Sequence, residues 1–567
     1  MAPRLAGSAR RTTLFAAAAA LAFGLSFPLS EDVVAGWPLA FAWPALLAFA
    51  VRESPSRRLL AAAVAGTFGA AFLAHQWWMA EVTALGMPVL VAYLAGWTAL
   101  LALAVERIRS SGRRPFALAL PVAVVAIEFL RGDLVCTGYA WFFAAHPLVE
   151  LPVVAQLASL GGGWLVSAFV AGTAGAAVDL LVAPRARRRS LATIALLWAV
   201  ALGWGAWRLA AEEEAERSWR GARPSLLVVQ TDLPMSNKLA WEPEAQRRDF
   251  EDFARSTIAG ARAAREAGDA VDLALWPETT VPGLGLEPES LRTLVEGGYY
   301  PGDRYAAGLR ELSSIVGAPL LVGSPAYLGL EVDAAARRFR WARQFNSAYL
   351  VGAAGPLGRT DKIFLTPFGE TMPVISNWDW LEQALLDLGA NGMTFDLDAA
   401  EAPQRFEIAF GPTSPGAGTR ATVPLGVPIC FEITAPWASR RIAFDGASRR
   451  AEVLANLSND GWFAWSGAGR RQHLQVACLR AAELATPVVR SANTGLSAWI
   501  DAAGRVRGRL PARTAGSLLA TPRPARWTPP AAVVGDAVAW AALVALACLV
   551  VGSRASVGGR PRERRGD

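Results

Sequence analysis

Three residues of reactive type stand out in the second half of this 567-residue chain. Glu278 comes directly after LALWP, Lys362 lies in TDKIFLTPFGE, and Cys430 ends the segment VPLGVPIC. A thiolate nucleophile needs a base to take its proton, and burial can raise the pKa of a carboxylate toward that task. Acyl transfer passes through a tetrahedral oxyanion, which a fixed positive charge stabilises. The three side chains can therefore serve as base, oxyanion-stabilising cation and nucleophile.

Lysine usage singles out Lys362. Of the 55 basic residues only two are lysine, Lys238 and Lys362, so a lysine here indicates a position that needs a compact ammonium group. Each member of the trio also has a simpler explanation, since a glutamate after a strand can cap a helix and a cysteine can fill a core. His473 lies inside a predicted helix, which favours a packing role over that of a base.

The elements that would position these residues alternate between strands and helices from 221 to 520. Ala/Arg/Glu-rich stretches at 243–267, 303–316 and 470–484 predict amphipathic helices. Such alternation over roughly 300 residues indicates one α/β domain or a layered sandwich, in which catalytic groups usually stand at strand ends. The predicted strands are 225–230, 271–277, 318–324, 345–352, 422–430, 451–458, 486–493 and 496–501.

The first 210 residues are predominantly apolar and predict a membrane domain. A helix needs about 17–25 apolar residues to cross the hydrocarbon core. Seven such segments precede residue 211 and an eighth follows the α/β region. The eight segments are 12–30, 36–51, 59–80, 86–106, 115–130, 162–183, 191–210 and 532–552, of which the second and fifth are short.

The charge distribution predicts the orientation and excludes a nucleic-acid-binding surface. The net charge is +7, yet residues 211–530 hold 34 basic and 36 acidic side chains, so the basic excess flanks the apolar segments. Arginines concentrate in alternate loops, which by the positive-inside rule puts both termini in the cytoplasm and the α/β region outside. The predicted organisation is a membrane domain over 1–210, a catalytic domain over 221–520, a C-terminal span over 532–552 and a basic cytoplasmic tail over 553–567. The first segment also has signal-peptide features, and the alternation favours its retention.

Four cysteines without a CxxC pair, and three histidines, predict neither a disulfide framework nor a zinc site. No metal or organic cofactor is expected.

Several motifs, in order along the chain, carry a family resemblance. They are WPET (276–279), TDKIFLTPFGE (360–370), PICFE (428–432), NLSNDGWF (456–463), QHLQVACLRAAE (472–483) and RSANTG (490–495). These motifs resemble the nitrilase superfamily of carbon–nitrogen hydrolases. With the eight apolar segments, FLRGDLVCTGYAW (129–141) and PVVAQLASLGG (152–162), the whole chain is similar to bacterial apolipoprotein N-acyltransferases.

The resemblance implies an αββα sandwich on the outer face of the inner membrane, with a triad of Glu278, Lys362 and Cys430. It implies that the sn-1 acyl chain of a phospholipid passes to Cys430 as a thioester and then to the N-terminal amine of a diacylglyceryl-cysteine lipoprotein. The expected partners are these two lipids and the membrane, with no nucleic acid, and the protein is expected to be monomeric. Further site residues implied by the matching motifs are Trp241, Asn346, Glu370, Phe431, Glu432 and Asn459; family members commonly have tyrosine where Phe431 stands.

Two other functions remain open on sequence grounds. A membrane-anchored carbon–nitrogen hydrolase would use the same trio with water as acceptor, although it needs no bundle of seven helices. A transporter or lipid-binding membrane protein is the other alternative. The scarcity of ionisable residues in the apolar segments, chiefly Glu128 and Asp179, disfavours a coupled transporter.

Overall fold

The computed structural model describes residues 2–33, 36–110, 114–233, 241–333, 338–372, 397–411 and 420–555. Lys238 and the predicted tail from 556 onward lie outside these residues. The chain forms two compact units. The first comprises Met1–Ala80, Ala84–Ala206 and Val534–Asp567, and the second comprises Glu81–Thr83 and Trp207–Val533.

The first unit is helical. Helices run through all eight predicted apolar segments. The helix that covers the seventh segment, 191–210, extends into the second unit. The helices are α1 (Ala2–Ser26), α2 (Leu39–Glu53), α3 (Arg57–Gln76), α4 (Met79–Val82), α5 (Gly86–Ser110), α6 (Phe116–Phe129), α7 (Pro152–Ala155), α8 (Ala158–Val182) and α9 (Arg187–Ser218). At the end of the second unit lies α15 (Pro530–Val534), and α16 (Ala537–Ala555) follows it in the first unit.

Four helical segments among the described residues are long and apolar enough to cross a membrane. They are Arg57–Gln76, Gly86–Ser110, Ala158–Val182 and Pro184–Ser218, and Ala537–Val550 is a shorter apolar helix. A membrane-spanning helical part is thus present, and the count of eight spans stays a prediction.

Helices α6 and α8 pack closely because small and acidic residues of α8 meet the first turn of α6. A Cβ atom on Gly175 would lie 2.3 Å from the carbonyl oxygen of Phe116, so only glycine permits this approach. The Asp179 carboxylate accepts hydrogen bonds from the backbone N–H groups of Phe116 and Ala117, at 3.0 and 2.8 Å. It thereby satisfies two of the N–H groups that a helix start leaves without partners.

The second unit contains two six-stranded sheets, each mixed in direction. The first has the order β16-β1-β2-β3-β6-β7, and the second has the order β15-β14-β13-β12-β9-β8. The strands are β1 (Leu226–Gln230), β2 (Leu273–Leu275), β3 (Leu320–Leu328), β4 (Glu331–Asp333), β5 (Arg338–Arg340), β6 (Arg343–Gly352), β7 (Gly355–Asp361), β8 (Arg405–Phe410), β9 (Ala421–Gly426), β10 (Phe444–Asp445), β11 (Ser448–Arg449), β12 (Val453–Ser458), β13 (Val488–Ala492), β14 (Ala498–Ile500), β15 (Val506–Arg509) and β16 (Gly516–Ala520).

Side-chain alternation in the central strands builds a layered core. In β1, Leu226 and Val228 pack with Leu425 and Leu457 of the second sheet, whereas Leu227 and Val229 face the other way. That other face of the first sheet packs on helices, because a strand buried on both sides needs two apolar partners. The helices of this unit are α10 (Pro243–Glu266), α11 (Pro288–Glu296), α12 (Arg304–Val316), α13 (Pro436–Ala443) and α14 (Gly467–Leu484).

Three sequence predictions need correction. Helix α14 is buried on all sides and is not amphipathic, since its polar side chains, among them Arg470 and Arg480, also lie inside. Cys430 does not end a strand, because β9 stops at Gly426 and Cys430 opens a short 3-10 turn. The strands that were not predicted are β4, β5, β7, β8, β10, β11, β15 and β16. The sequences of β7 and β15, GPLGRTD and VRGR, are too polar and glycine-rich to show a strand pattern. The alternating sequence RFEIAF of β8 does show such a pattern and was missed.

Candidate active site

Glu278 is presented by the turn that follows β2. The strand LAL ends at Leu275, and the buried glutamate begins the turn three residues later. Its Oε1 accepts a hydrogen bond of 2.8 Å from the side chain of Asn346, and its Oε2 accepts one of 2.9 Å from the backbone of Asn459. The carboxylate is therefore held by two neighbouring segments rather than left to rotate.

Lys362 directly follows β7 and is fully buried. Its Nζ lies 3.7 Å from Glu278 Oε1 and donates a 2.6 Å hydrogen bond to Glu370 Oε2. Burial alone would lower the pKa of this amine, but the charges of Glu370 and Glu278 raise it above its ordinary value. The side chain thus carries a fixed positive charge against Glu278.

Glu370 is the counter-charge that keeps Lys362 in place. Its Oε2 also accepts the Thr366 backbone N–H at 2.8 Å, and its Oε1 accepts Asn346 Nδ2 at 2.7 Å. Burial acts to raise the pKa of Glu370, but the Lys362 ammonium and these donors hold it below its ordinary value. The carboxylate stays ionised, as a partner to a buried ammonium must.

Cys430 stands at a strained point of the backbone. Its φ of 50° lies in the left-handed region, which costs a non-glycine residue about 1–3 kcal/mol and recurs at functional sites. Its Sγ lies 3.7 Å from the hydroxyl of Ser458. Burial, reinforced by the charge of Glu278, raises the pKa of the thiol well above its ordinary value, while Lys362 opposes the rise. The resting group is a thiol, so a base must take its proton before it can attack.

Glu432 joins the segment after Lys362 to the segment before Cys430. Its Oε1 accepts the backbone N–H groups of Ile363 and Phe364, and its Oε2 accepts that of Ile429. Burial raises the pKa of Glu432 to about 7, and the three backbone donors act against the rise. These hydrogen bonds allow the Glu432 side chain to position both loops. None of them involves Lys362 Nζ or Cys430 Sγ.

The other predicted site residues divide into two groups. Asn346 and Asn459 belong to the network around Glu278, and the Asn459 side chain also accepts the Gly461 N–H at 3.2 Å. Phe431 stacks on Phe364 with ring centroids 5.9 Å apart. Trp241 takes part in a different set of bonds, in which its indole N–H donates to Asp249 at 2.7 Å. A substrate contact by Trp241 stays a prediction.

A buried charged cluster beside Cys430 was not predicted as part of the site. Asp460 accepts hydrogen bonds of 2.6 and 2.7 Å from Arg490, and His473 Nδ1 lies 3.1 Å from the same carboxylate. Despite burial, the Arg490 charge holds the pKa of Asp460 well below its ordinary value. Burial and that same charge lower the pKa of His473. The motifs NLSNDGWF and RSANTG contain Asp460 and Arg490, but nothing in their sequence shows that the two meet.

No group of three or more His, Cys, Asp or Glu residues within the described part of the chain is arranged to hold a metal ion.

Comparison with known proteins agrees with this architecture in both units. Residues 19–176 match the family model of the apolipoprotein N-acyltransferase N-terminal domain, and residues 228–529 match that of the carbon–nitrogen hydrolases. A protein of Azotobacter vinelandii named apolipoprotein N-acyltransferase is 31% identical, over 87% of this chain and 86% of its own length. The chain belongs to the apolipoprotein N-acyltransferase family.

Other relatives with that name span similar lengths. The apolipoprotein N-acyltransferase of Geobacter metallireducens is 28% identical over 88% of this chain and 87% of its own. That of Rhizobium meliloti is 30% identical over 79% and 77%. The second unit of this family member is thus a carbon–nitrogen hydrolase domain built on two sheets.

Proposed function

We propose that this protein moves the sn-1 acyl chain of a phospholipid through a thioester on Cys430 to the N-terminal amine of a diacylglyceryl-cysteine lipoprotein. As a member of the apolipoprotein N-acyltransferase family it is an acyltransferase that N-acylates lipoproteins. The observation that carries the residue assignment is the buried contact of 3.7 Å between Lys362 Nζ and Glu278 Oε1, beside a cysteine of strained backbone.

In the first half-reaction Glu278 takes the Sγ proton of Cys430, and the sulfur attacks the ester carbonyl carbon of the donor lipid. The carbonyl oxygen becomes an oxyanion, and the Lys362 ammonium offsets its charge. When the tetrahedral intermediate collapses, the C–O bond breaks. The departing lysophospholipid alkoxide takes the proton back from Glu278, which leaves an acyl thioester on Cys430.

In the second half-reaction the lipoprotein amine attacks the thioester carbonyl, again toward Lys362. Glu278 accepts a proton from the amine, the C–S bond breaks, and the leaving thiolate of Cys430 takes that proton from Glu278. A thioester suits this sequence because it keeps the acyl chain activated while one lipid leaves and another arrives. Phe431, Glu370, Glu432, Asn346 and Asn459 would hold the reacting groups in place, and Trp241 would contact substrate.

Both substrates are lipids whose chains cost about 0.8 kcal/mol per methylene exposed to water, which favours catalysis at a membrane. We propose location in the bacterial inner membrane, with residues 221–520 on the outer face and both termini in the cytoplasm. The proposed organisation also includes a membrane domain over 1–210, a span over 532–552 and a cytoplasmic tail over 553–567. The working form is a monomer. The presence of apolar helices of spanning length supports the membrane location.

The test is covalent labelling with a phospholipid that carries an isotopically labelled sn-1 chain. The purified protein, the Cys430→Ala variant and a matched Cys478→Ala variant are each incubated, denatured and analysed by peptide mass spectrometry. We expect hydroxylamine-sensitive label on Cys430 in the wild type and in Cys478→Ala only. Folded wild-type protein without label, or label that persists in Cys430→Ala, would overturn the proposal. Release of free labelled fatty acid without acceptor would instead favour a hydrolase.

A further inference from the structure

Ser458 ends β12 with its hydroxyl between the candidate nucleophile and the buried charged cluster. Its Oγ lies 3.7 Å from Cys430 Sγ and 2.8 Å from Asp460 Oδ1, and it is 3.1 Å from Arg490 Nη2. The residue is fully buried. These neighbours are a thiol, a carboxylate and a guanidinium, so the hydroxyl touches the sulfur that would react.

The hydroxyl of Ser458 has a single hydrogen, so it can donate to only one acceptor at a time. The guanidinium of Arg490 has only donors, so in the 3.1 Å contact with Nη2 the Ser458 oxygen can act only as acceptor. The single hydroxyl hydrogen can then point either to Asp460 or to the sulfur of Cys430. A neutral thiol is a weak acceptor, which makes the carboxylate the better partner at rest. A thiolate is a charged acceptor, and hydrogen bonds to charged groups are the stronger ones.

We propose that Ser458 is a further catalytic residue, whose hydroxyl turns from Asp460 to Cys430 Sγ when the thiolate forms and stabilises it there. Asp460 and Arg490 are its positioning residues. The inference rests on the assignment of Cys430 as the nucleophile in the proposed function.

The rotation requires no movement of heavy atoms. Asp460 keeps its ion pair with Arg490, whose Nη2 lies 2.6 and 2.7 Å from the two carboxylate oxygens, when the hydroxyl turns away. Arg490 is itself fixed, because it also donates to Asn456, whose Nδ2 donates to the carbonyl of Pro428 at 2.9 Å. The cluster therefore holds both the hydroxyl and the chain that precedes the cysteine.

The proton balance of the reaction is unchanged by this step. The S–H bond of Cys430 breaks and its proton goes to Glu278, while Ser458 keeps its own O–H bond and only redirects it. After acylation the thioester sulfur is neutral and a poor acceptor, so the hydroxyl returns to Asp460. When the amine displaces the sulfur in the second half-reaction, the leaving thiolate receives the same hydrogen bond again.

The thiol is surrounded by other ionisable groups that contribute to its titration. Glu278, Glu370 and Asp460 act to raise the pKa of Cys430, and Lys362 acts to lower it. Arg490 and His473 lie behind Ser458 and face the same carboxylate, Asp460. A test of Ser458 must leave all six of these groups in place.

The experiment measures the rate at which iodoacetamide alkylates Cys430, followed by peptide mass spectrometry between pH 7 and pH 9.5 in the full-length protein. The variants are Ser458→Ala and Ser458→Thr, with Ser491→Ala as the matched control. Ser491 is also a buried serine, but its hydroxyl donates to backbone carbonyls of β1 and β2. Below the thiol pKa the rate is proportional to the thiolate fraction, so the profiles report thiolate stability directly.

We expect Ser458→Ala to slow alkylation of Cys430 by about tenfold at each pH, a parallel displacement of about one pKa unit. Ser458→Thr keeps the hydroxyl and should retain the wild-type profile, as should Ser491→Ala. A Ser458→Ala profile within twofold of the wild type, or a Ser458→Thr profile as slow as that of Ser458→Ala, would overturn the inference. If Ser458→Ala fails to unfold cooperatively, Ser458→Gly replaces it.

Alkylation needs no lipid, so its outcome is independent of the acyl-transfer test. Slow alkylation in Ser458→Ala together with an absence of acyl label would refute the proposed function and leave the role of Ser458 as a thiolate donor intact. Acyl label on Cys430 together with an unchanged alkylation rate in Ser458→Ala would support the proposed function and refute the role of Ser458.

Discussion

Asn346 donates its side-chain amide to Glu278 Oε1 at 2.8 Å, and the same nitrogen donates to Glu370 Oε1 at 2.7 Å. One amide group therefore spaces the buried Glu278 carboxylate and the partly buried Glu370 carboxylate, which share the Lys362 ammonium. The backbone carbonyl of Asn346 also accepts the N–H of Lys362 at 2.9 Å. A neutral residue with two donor hydrogens suits this position because it satisfies both acids without adding charge.

Replacing Asn346 should impair acyl transfer without disturbing the membrane unit. Asn346→Ala frees Glu278 to rotate, and Asn346→Asp places a third carboxylate beside the other two. We expect both to slow formation of the Cys430 thioester by about 10²-fold or more, the scale on which a positioned general base contributes. Single-turnover labelling with excess donor lipid measures this step. The matched control is Gln344→Leu, which removes an amide two residues earlier on β6 and should leave the rate within a fewfold of wild type.

Lys362 should tolerate neither arginine nor methionine. A guanidinium keeps the charge but is planar and bulkier than the ammonium enclosed by Glu278, Glu370 and Thr366. We expect Lys362→Arg to lower the acylation rate by at least about 10²-fold, the scale of one lost oxyanion-stabilising donor.

Lys362→Met has a second, thermodynamic consequence. The buried Glu278 and the partly buried Glu370 lose their counter-charge, and breaking a buried ion pair in this way costs about 3–5 kcal/mol. Without the ammonium, the pKa of Glu370 is no longer held below its ordinary value and burial raises it, so the lost stability should be partly recovered as the pH falls from 8 to 5. Denaturant unfolding at the two pH values measures this. The double variant Lys362→Met/Glu370→Met removes one of the carboxylates, and a stability no higher than that of Lys362→Met would contradict the account.

Asp460 should make the stability of the second unit depend on acid pH. Its pKa is held below its ordinary value in the folded state, so its contribution is fully present above the unfolded pKa of about 3.9 and is lost as the pH falls. Asp460→Asn leaves Arg490 buried without a counter-charge, at a cost of about 3–5 kcal/mol at pH 7. The variant should also lose less stability than the wild type between pH 6 and pH 3. If Asp460→Asn loses stability as steeply as the wild type over this pH range, other carboxylates account for the acid dependence and the prediction is wrong.

The sequence placed Glu278 correctly at the end of a strand, because LALWP carries a local apolar signal. Lys362 was selected by its residue type and its motif, and the strand that precedes it, β7, was not predicted. Glu370 and Glu432 were predicted as site residues only from the family resemblance. The periodicity of the sequence does not distinguish them from other glutamates. The structure adds why these two acids differ: Glu370 pairs with the ammonium, whereas Glu432 accepts only backbone N–H groups in its described bonds.

Ser458, Asp460 and Arg490 could not have been grouped from sequence, because their meeting depends on the pairing of β12 with β13. The register places Leu457 opposite Ser491 and Asn456 opposite Arg490, so the long arginine side chain reaches the residues that follow β12. Strand register is a non-local property, which the composition of either segment alone does not determine. Strand β16 likewise pairs with β1, which lies far away in the sequence.

Gly323 on β3 offers a test of how tightly the turn after β2 must be held. A Cβ atom at this position would lie 2.4 Å from the backbone nitrogen of Thr279 and 2.6 Å from the Cα of Glu278. Backbone atoms cannot rotate away, and the Gly323 carbonyl also accepts the N–H groups of Thr280 and Val281. Gly323→Ala must therefore displace Glu278 itself. A shift of about 1 Å in a reacting group can cost on the order of 10²-fold in rate.

We accordingly expect Gly323→Ala to slow thioester formation by about 10²-fold and to destabilise the second unit by about 1–3 kcal/mol, as overpacking does. Single-turnover labelling and denaturant unfolding measure the two effects. Gly96→Ala is the matched control, because a Cβ atom there meets no neighbour within 4 Å. If Gly323→Ala acylates Cys430 at the wild-type rate, Glu278 has more positional freedom than its two hydrogen bonds imply, and its assignment as the base loses its geometric support.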